Sequence, residues 1–95
     1  MNRYAQGRRL EWLARDALLA QGYTVIRSAG SKGPVDLVAI GPAEIRLIQV
    51  KAAGGVRRAD LRKLRQVACP PGTRCEIWQR APRGQWKVQR LRRHA

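Results

Sequence analysis

Asp36, Gln49 and Lys51 are the residues of this chain whose types and spacing suit chemistry. Gln49 and Lys51 close the largely apolar run I-R-L-I-Q-V-K at 45–51. Alternate residues of an extended strand share a face, so an amide and an ammonium point the same way. The preceding run, V-D-L-V-A-I at 35–40, carries Asp36, and Gly41-Pro42-Ala43-Glu44 between the two reads as a turn. In an antiparallel hairpin where 41 faces 44, opposed residues have numbers that sum to 85. Asp36 then faces Gln49, with Cβ atoms about 4.5–5.5 Å apart, and Lys51 lies one step further along the same face.

A carboxylate, an amide oxygen and an ammonium at one strand end suit phosphodiester hydrolysis. Asp36 offers hard oxygen to Mg2+ or Mn2+, Gln49 offers its amide oxygen, and the Val50 backbone carbonyl can add another donor. A cation held there lowers the pKa of a bound water and polarises a phosphate. Lys51 can orient or help deprotonate that water, or neutralise charge building on the phosphate. The same spacing also suits a purely structural arrangement, with Asp36 and Lys51 as an ordinary ion pair and Gln49 bonded to a neighbour.

Two helices and five strands must position these groups. Leu10, Leu13, Ala14 and Ala17 follow the i, i+3, i+4, i+7 rhythm of an amphipathic helix over 3–21, with Gly22 as its C-terminal stop. Glu11 falls at the margin of that apolar face, where it can hold a metal-bound water from the other side. Y-T-V-I-R-S at 23–28 is a strand, followed by the loop A-G-S-K-G-P, and the hairpin strands span 35–40 and 44–51. A second helix is expected over 58–69, burying Leu61, Leu64 and Ala68, and Pro70-Pro71-Gly72 ends it. T-R-C-E-I-W-Q-R at 73–80 and Q-W-K-V-Q-R-L at 85–91 complete the order αβββαββ. That is an α/β chain, a mixed sheet flanked by helices, and residues 1–95 read as a single domain.

Charge points to the partner. Twenty Lys and Arg against six Asp and Glu give +14 on 95 residues, which attracts polyanions and favours nucleic acid held through its phosphates. No run of 18 apolar residues suggests a membrane span, and the N-terminus lacks the apolar core of a secretory signal, so a cytoplasmic protein is expected. Cys69 and Cys75 flank P-P-G-T-R, and His94 is the only histidine. Four zinc ligands are therefore not at hand; two free, half-buried thiols are expected, with a disulfide across the loop as the alternative. Trp12, Trp78 and Trp86 can stack on unpaired bases but are expected in the core or a subunit interface.

E-W-L at 11–13, G-Y-T-V-I-R-S-A-G-S-K-G-P-V-D-L-V-A-I at 22–40 and L-I-Q-V-K at 47–51 together resemble the archaeal-type Holliday junction resolvases of the PD-(D/E)XK nuclease superfamily. The resemblance implies a restriction-endonuclease-like fold and a Mg2+- or Mn2+-dependent endonuclease. By position, Glu11 matches the family's helix-one glutamate near the metal, Asp36 its metal-binding aspartate and Lys51 its catalytic lysine. Arg27 matches a basic residue that handles phosphate, and Ser28 and Ser31 lie in the loop that approaches the DNA backbone. Gln49 stands where the family usually has Glu, which removes one negative charge and predicts weaker metal binding. Trp12 stands where an arginine often follows the glutamate, and aromatics that relatives carry on the second helix are missing.

Beside Asp36, the A-G-S-K-G loop with its serines and Lys32 becomes a phosphate clamp. Arg57, Arg58, Arg62, Lys63 and Arg65 form a basic stretch after the third strand, and Arg90, Arg92 and Arg93 another at the end of the chain; both suit tracking of phosphates. A four-way DNA junction has approximate two-fold symmetry and its resolution needs paired cuts. One site per chain then implies a C2 homodimer, which also supplies stability that a fold this small lacks. The alternatives are a nucleic-acid-binding module without catalysis, and a nuclease for other branched DNA.

Overall fold

Helix α1 (Arg3–Ala20) turns its small and branched residues inward, with Ala14 and Leu18 fully buried and Leu10 and Ala17 packed beside them. It ends as the glycine predicts. The Gly22 N–H bonds the Leu19 carbonyl at 3.0 Å and the Tyr23 N–H reaches back to Leu18 at 3.2 Å, while Gly22 takes φ 91°. That paired closure needs a left-handed residue, which glycine adopts without strain. The computed structural model describes residues 3–28 and 33–91.

The strands are β1 (Thr24–Arg27), β2 (Leu37–Ile40), β3 (Ile45–Lys51), β4 (Thr73–Arg80) and β5 (Trp86–Leu91), arranged in that order in one sheet. The β3–β4 pair is parallel and the other three are antiparallel. A parallel neighbour needs a long return crossing, and helix α2 (Arg58–Arg65) occupies that connection. The β2–β3 register is the expected one: Leu37 pairs with Ile48 and Ile40 with Ile45, and the Gly41 N–H closes the turn on the Glu44 carbonyl at 2.8 Å. The mixed sheet with its two helices is the α/β arrangement expected.

Alternation along the strands divides the core. Leu37, Ala39, Ile48, Val50 and Trp78 pack with Ala14 and Leu18 of α1, whereas Cys75, Ile77 and Leu91 pack with Leu64 of α2. At the start of β3, Arg46 pairs with Glu76 at 2.7 Å, and Glu76 also accepts the Trp78 indole N–H at 3.0 Å. Both charged groups are buried, so each depends on the other for its place in the core.

Two expectations need correction. Helix α2 ends at Arg65, and Ala68 is exposed. Cys69 precedes Pro70, whose ring disfavours helical geometry in the residue before it, and the chain turns at Gln66–Val67. Residues 23, 28, 35, 36, 44 and 85 lie just outside their strands. Of its two expected settings, core or subunit interface, Trp12 does not take the core: it is 45% exposed, with the guanidinium carbons of Arg15 and Arg27 at 4.9 and 5.5 Å from its ring centroid. Trp78 is buried and Trp86 packs against it with centroids 5.6 Å apart, as expected. Both cysteines are free thiols, Cys69 half-buried and Cys75 buried.

Candidate active site

The regular ladder between β2 and β3 stops at Leu37, and the backbone at Asp36 is tied on both sides. The Ser28 N–H bonds the Asp36 carbonyl at 2.9 Å, and the Asp36 N–H bonds the Ile48 carbonyl at 2.8 Å. The Asp36 side chain then takes over from the ladder. Its Oδ2 accepts the Val50 N–H at 2.8 Å, which fixes the carboxylate against the end of β3 and leaves Oδ1 free of that bond. Burial pushes this carboxyl up from 3.8 to about 6, against the lowering effect of the Val50 N–H. The charge of Glu11 adds to the rise, and those of Lys51 and Arg27 oppose it.

Gln49 is buried, at 8% exposure, and its Oε1 has no hydrogen-bond partner among the described residues. A buried amide oxygen left without a donor costs about 1–3 kcal/mol, so an acceptor held in this way is an observation to be explained. Two residues on, the Lys51 Nζ lies 3.3 Å from Asp60 Oδ1 of α2. Among the described residues the ion pair of Lys51 is with Asp60 rather than Asp36.

Glu11 comes from α1 and pairs with Arg27 at the end of β1 at 3.0 Å, both side chains largely covered. Glu11, Arg27 and Lys51 lie close enough for their charges to act on the Asp36 carboxyl, and Gln49 stands opposite Asp36, between the Ile48 carbonyl and the Val50 N–H that bond it. Ser28 is half-buried next to them through its bond to Asp36. Ser31 and Lys32, like Arg92 and Arg93, lie outside the described residues. Arg57, Arg58, Arg62 and Lys63 are exposed along the start and outer face of α2, where Arg58, Leu61, Arg62, Arg65 and Gln66 line an open groove.

Sequence reading missed Asp60. Its Oδ2 accepts the Arg57 N–H at 3.0 Å, a capping interaction at the start of α2, while Oδ1 faces Lys51. The available signal was an isolated acid at the third position of the helix, in a segment otherwise rich in arginine. Among the described residues no three His, Cys, Asp or Glu side chains cluster as metal ligands. Any cation here would rest on a mixed set of carboxylate, amide and backbone oxygens, and those are hard donors suited to Mg2+ or Mn2+.

The model of the archaeal Holliday junction resolvase family matches residues 2–94. The chain belongs to that family. As a resolvase-family member it has the restriction-endonuclease-like fold that its five-stranded mixed sheet shows. A solved structure of Archaeoglobus fulgidus Hjc, a Holliday junction resolvase from an archaeal hyperthermophile, superposes with a TM-score of 0.75 at 24% identity, over 95% of this chain and 79% of that one. At that identity the likeness establishes the common fold. No curated protein sequence matches the chain. Among the described residues, no helix of this family member is long and apolar enough to cross a membrane.

Proposed function

We propose that this chain is a divalent-metal-dependent endonuclease that resolves four-way DNA junctions as a homodimer. The observation that carries the metal reading is the Gln49 Oε1, buried without a donor among the described residues beside the anchored Asp36 carboxylate. A cation would satisfy it. Asp36, Gln49 and the Val50 carbonyl would hold Mg2+ or Mn2+, with Glu11 reaching it through water. When bound, the ion supplies a water of lowered pKa and polarises the scissile phosphate.

The remaining work falls to the chain's own side chains. Lys51 brings an ammonium to the mouth of the site, where it neutralises charge on the phosphate and orients the attacking water. Arg27, held by Glu11 at 3.0 Å, binds a neighbouring phosphate oxygen. Ser28, Ser31 and Lys32 extend that contact along the DNA backbone, and Arg57, Arg58, Arg62 and Lys63 bind phosphates further along. Contacts of this kind read the position of the strands rather than base identity, which suits recognition of a branch by shape. The neutral Gln49 lowers the negative charge of the metal site and weakens its hold on the ion.

The homodimer draws support from the sheet face that α2 leaves open. Ile40 and Ile45 are opposed and exposed, and Ile26, 55% exposed, lines up across β2 and β3 with Val38 and Leu47. An uncharged apolar patch on a chain of net charge +14 suits burial against a second copy.

The test is incubation of a labelled four-way junction and the matching linear duplex with Mg2+ or Mn2+. The wild type is expected to cut the junction in preference to the duplex, while Asp36→Asn and Lys51→Ala bind without cutting. Binding without cleavage in either metal would make the chain a non-catalytic DNA-binding module. Equal cutting of junction and duplex would overturn the junction selectivity.

A further inference from the structure

Lys51 and Asp60 meet across the gap between β3 and α2, at 3.3 Å, with side chains 29% and 17% exposed. The other oxygen of the same carboxylate accepts the Arg57 N–H at 3.0 Å. One aspartate therefore ties the end of the strand that carries Lys51 to the first turn of the helix that carries Arg57 and Arg58. A lysine side chain is long and rich in rotamers, so an ammonium without a counter-charge wanders. Gln49, its neighbour on the same strand face, carries no charge, and the Asp36 carboxylate is turned to the Val50 N–H. The carboxylate that pairs with Lys51 comes from α2.

We propose that Asp60 is a positioning residue that holds the Lys51 ammonium at the site and couples its place to the phosphate-binding turn of α2. The proposal rests on the nuclease reading above. DNA phosphates that engage Arg57 and Arg58 settle the turn in which Asp60 sits, and through it the ammonium that faces the scissile phosphate. The competing role is plain helix capping, which needs only an acceptor for the Arg57 N–H.

Asp60→Asn separates the two. The amide oxygen can still accept the Arg57 N–H, but the charge opposite Lys51 is gone. Single-turnover cleavage of a four-way junction at saturating protein is expected to fall about tenfold or more, with the Kd for the junction unchanged. Asp60→Ala is expected to lose the same rate and, in addition, to melt at lower temperature. Acetylation by an N-hydroxysuccinimide ester, read by peptide mass spectrometry, is expected to rise several-fold at Lys51 relative to Lys87 in Asp60→Asn. Cleavage by Asp60→Asn at the wild-type rate, or unchanged labelling of Lys51, overturns the proposal. If the wild type cuts no junction, the nuclease reading falls and this role with it; if the wild type cuts and Asp60→Asn keeps pace, only the role of Asp60 falls.

Discussion

Replacing Asp36 by Asn should stabilise the metal-free protein, and by an amount that grows with pH. Burial lifts the Asp36 carboxyl from 3.8 to about 6, about two pH units at about 1.4 kcal/mol each. Holding the ionised carboxylate in place therefore costs the metal-free fold about 3 kcal/mol. Below the unfolded value of 3.8 the carboxyl is protonated whether the chain is folded or not, and the cost is absent. It builds as pH rises and is complete once pH passes the folded value near 6. Asparagine keeps an oxygen for the Val50 N–H and has no charge to desolvate. The assay is urea denaturation of both proteins in EDTA across acid to mildly alkaline buffers, with equal m-values as the check on two-state unfolding. The variant's advantage is expected to approach about 3 kcal/mol at pH 8, to shrink toward acid, and to close when Mg2+ binds the native wild type. A difference that stays constant with pH, or a wild type more stable than the variant at pH 8 in EDTA, would refute the reasoning.

Gln49→Met should keep or raise stability, by up to about 1–3 kcal/mol, because the buried amide oxygen it removes has no partner among the described residues. Titration calorimetry with Mn2+ should show its cation binding weakened, and unchanged affinity would count against Gln49 as a ligand. Glu76→Gln leaves the buried Arg46 guanidinium, 2.7 Å away, without its counter-charge. A loss of roughly 3–5 kcal/mol in urea denaturation is expected, and a loss below about 1 kcal/mol would show the pair to be dispensable. Ile26→Asp places a charge in the exposed apolar patch of the sheet and should convert dimer to monomer in sedimentation velocity, with circular dichroism unchanged; a variant that stays dimeric moves the interface elsewhere.

The hairpin was legible because its register depends on local features. A short turn fixes which residues face each other, and one pairing, Gly41 with Glu44, carries the rest as far as Leu37 and Ile48. The end of α1 was legible for the same reason, since Gly22 is a local stop. Contacts between distant elements were not. Nothing near Asp60 in sequence indicates that Lys51 will face it, and Glu76 meets Arg46 only because β4 lies parallel to β3. From its type alone Trp12 reads equally as a core or an interface residue, and the helix turns it to the surface between two arginines. The length of α2 was overestimated because its apolar rhythm runs on through Ala68 while the backbone is already preparing for Pro70.

The most direct test of the central claim is the cutting of a supercoiled plasmid that extrudes a cruciform, followed in time by gel electrophoresis in Mg2+ or Mn2+. Two sites acting on opposed strands within one complex are expected to give linear plasmid as the first product, with Asp36→Asn and Lys51→Ala giving neither linear nor nicked DNA. Accumulation of nicked circle ahead of linear product would contradict paired cleavage by a dimer, and an uncut plasmid that the protein still binds would contradict the nuclease itself.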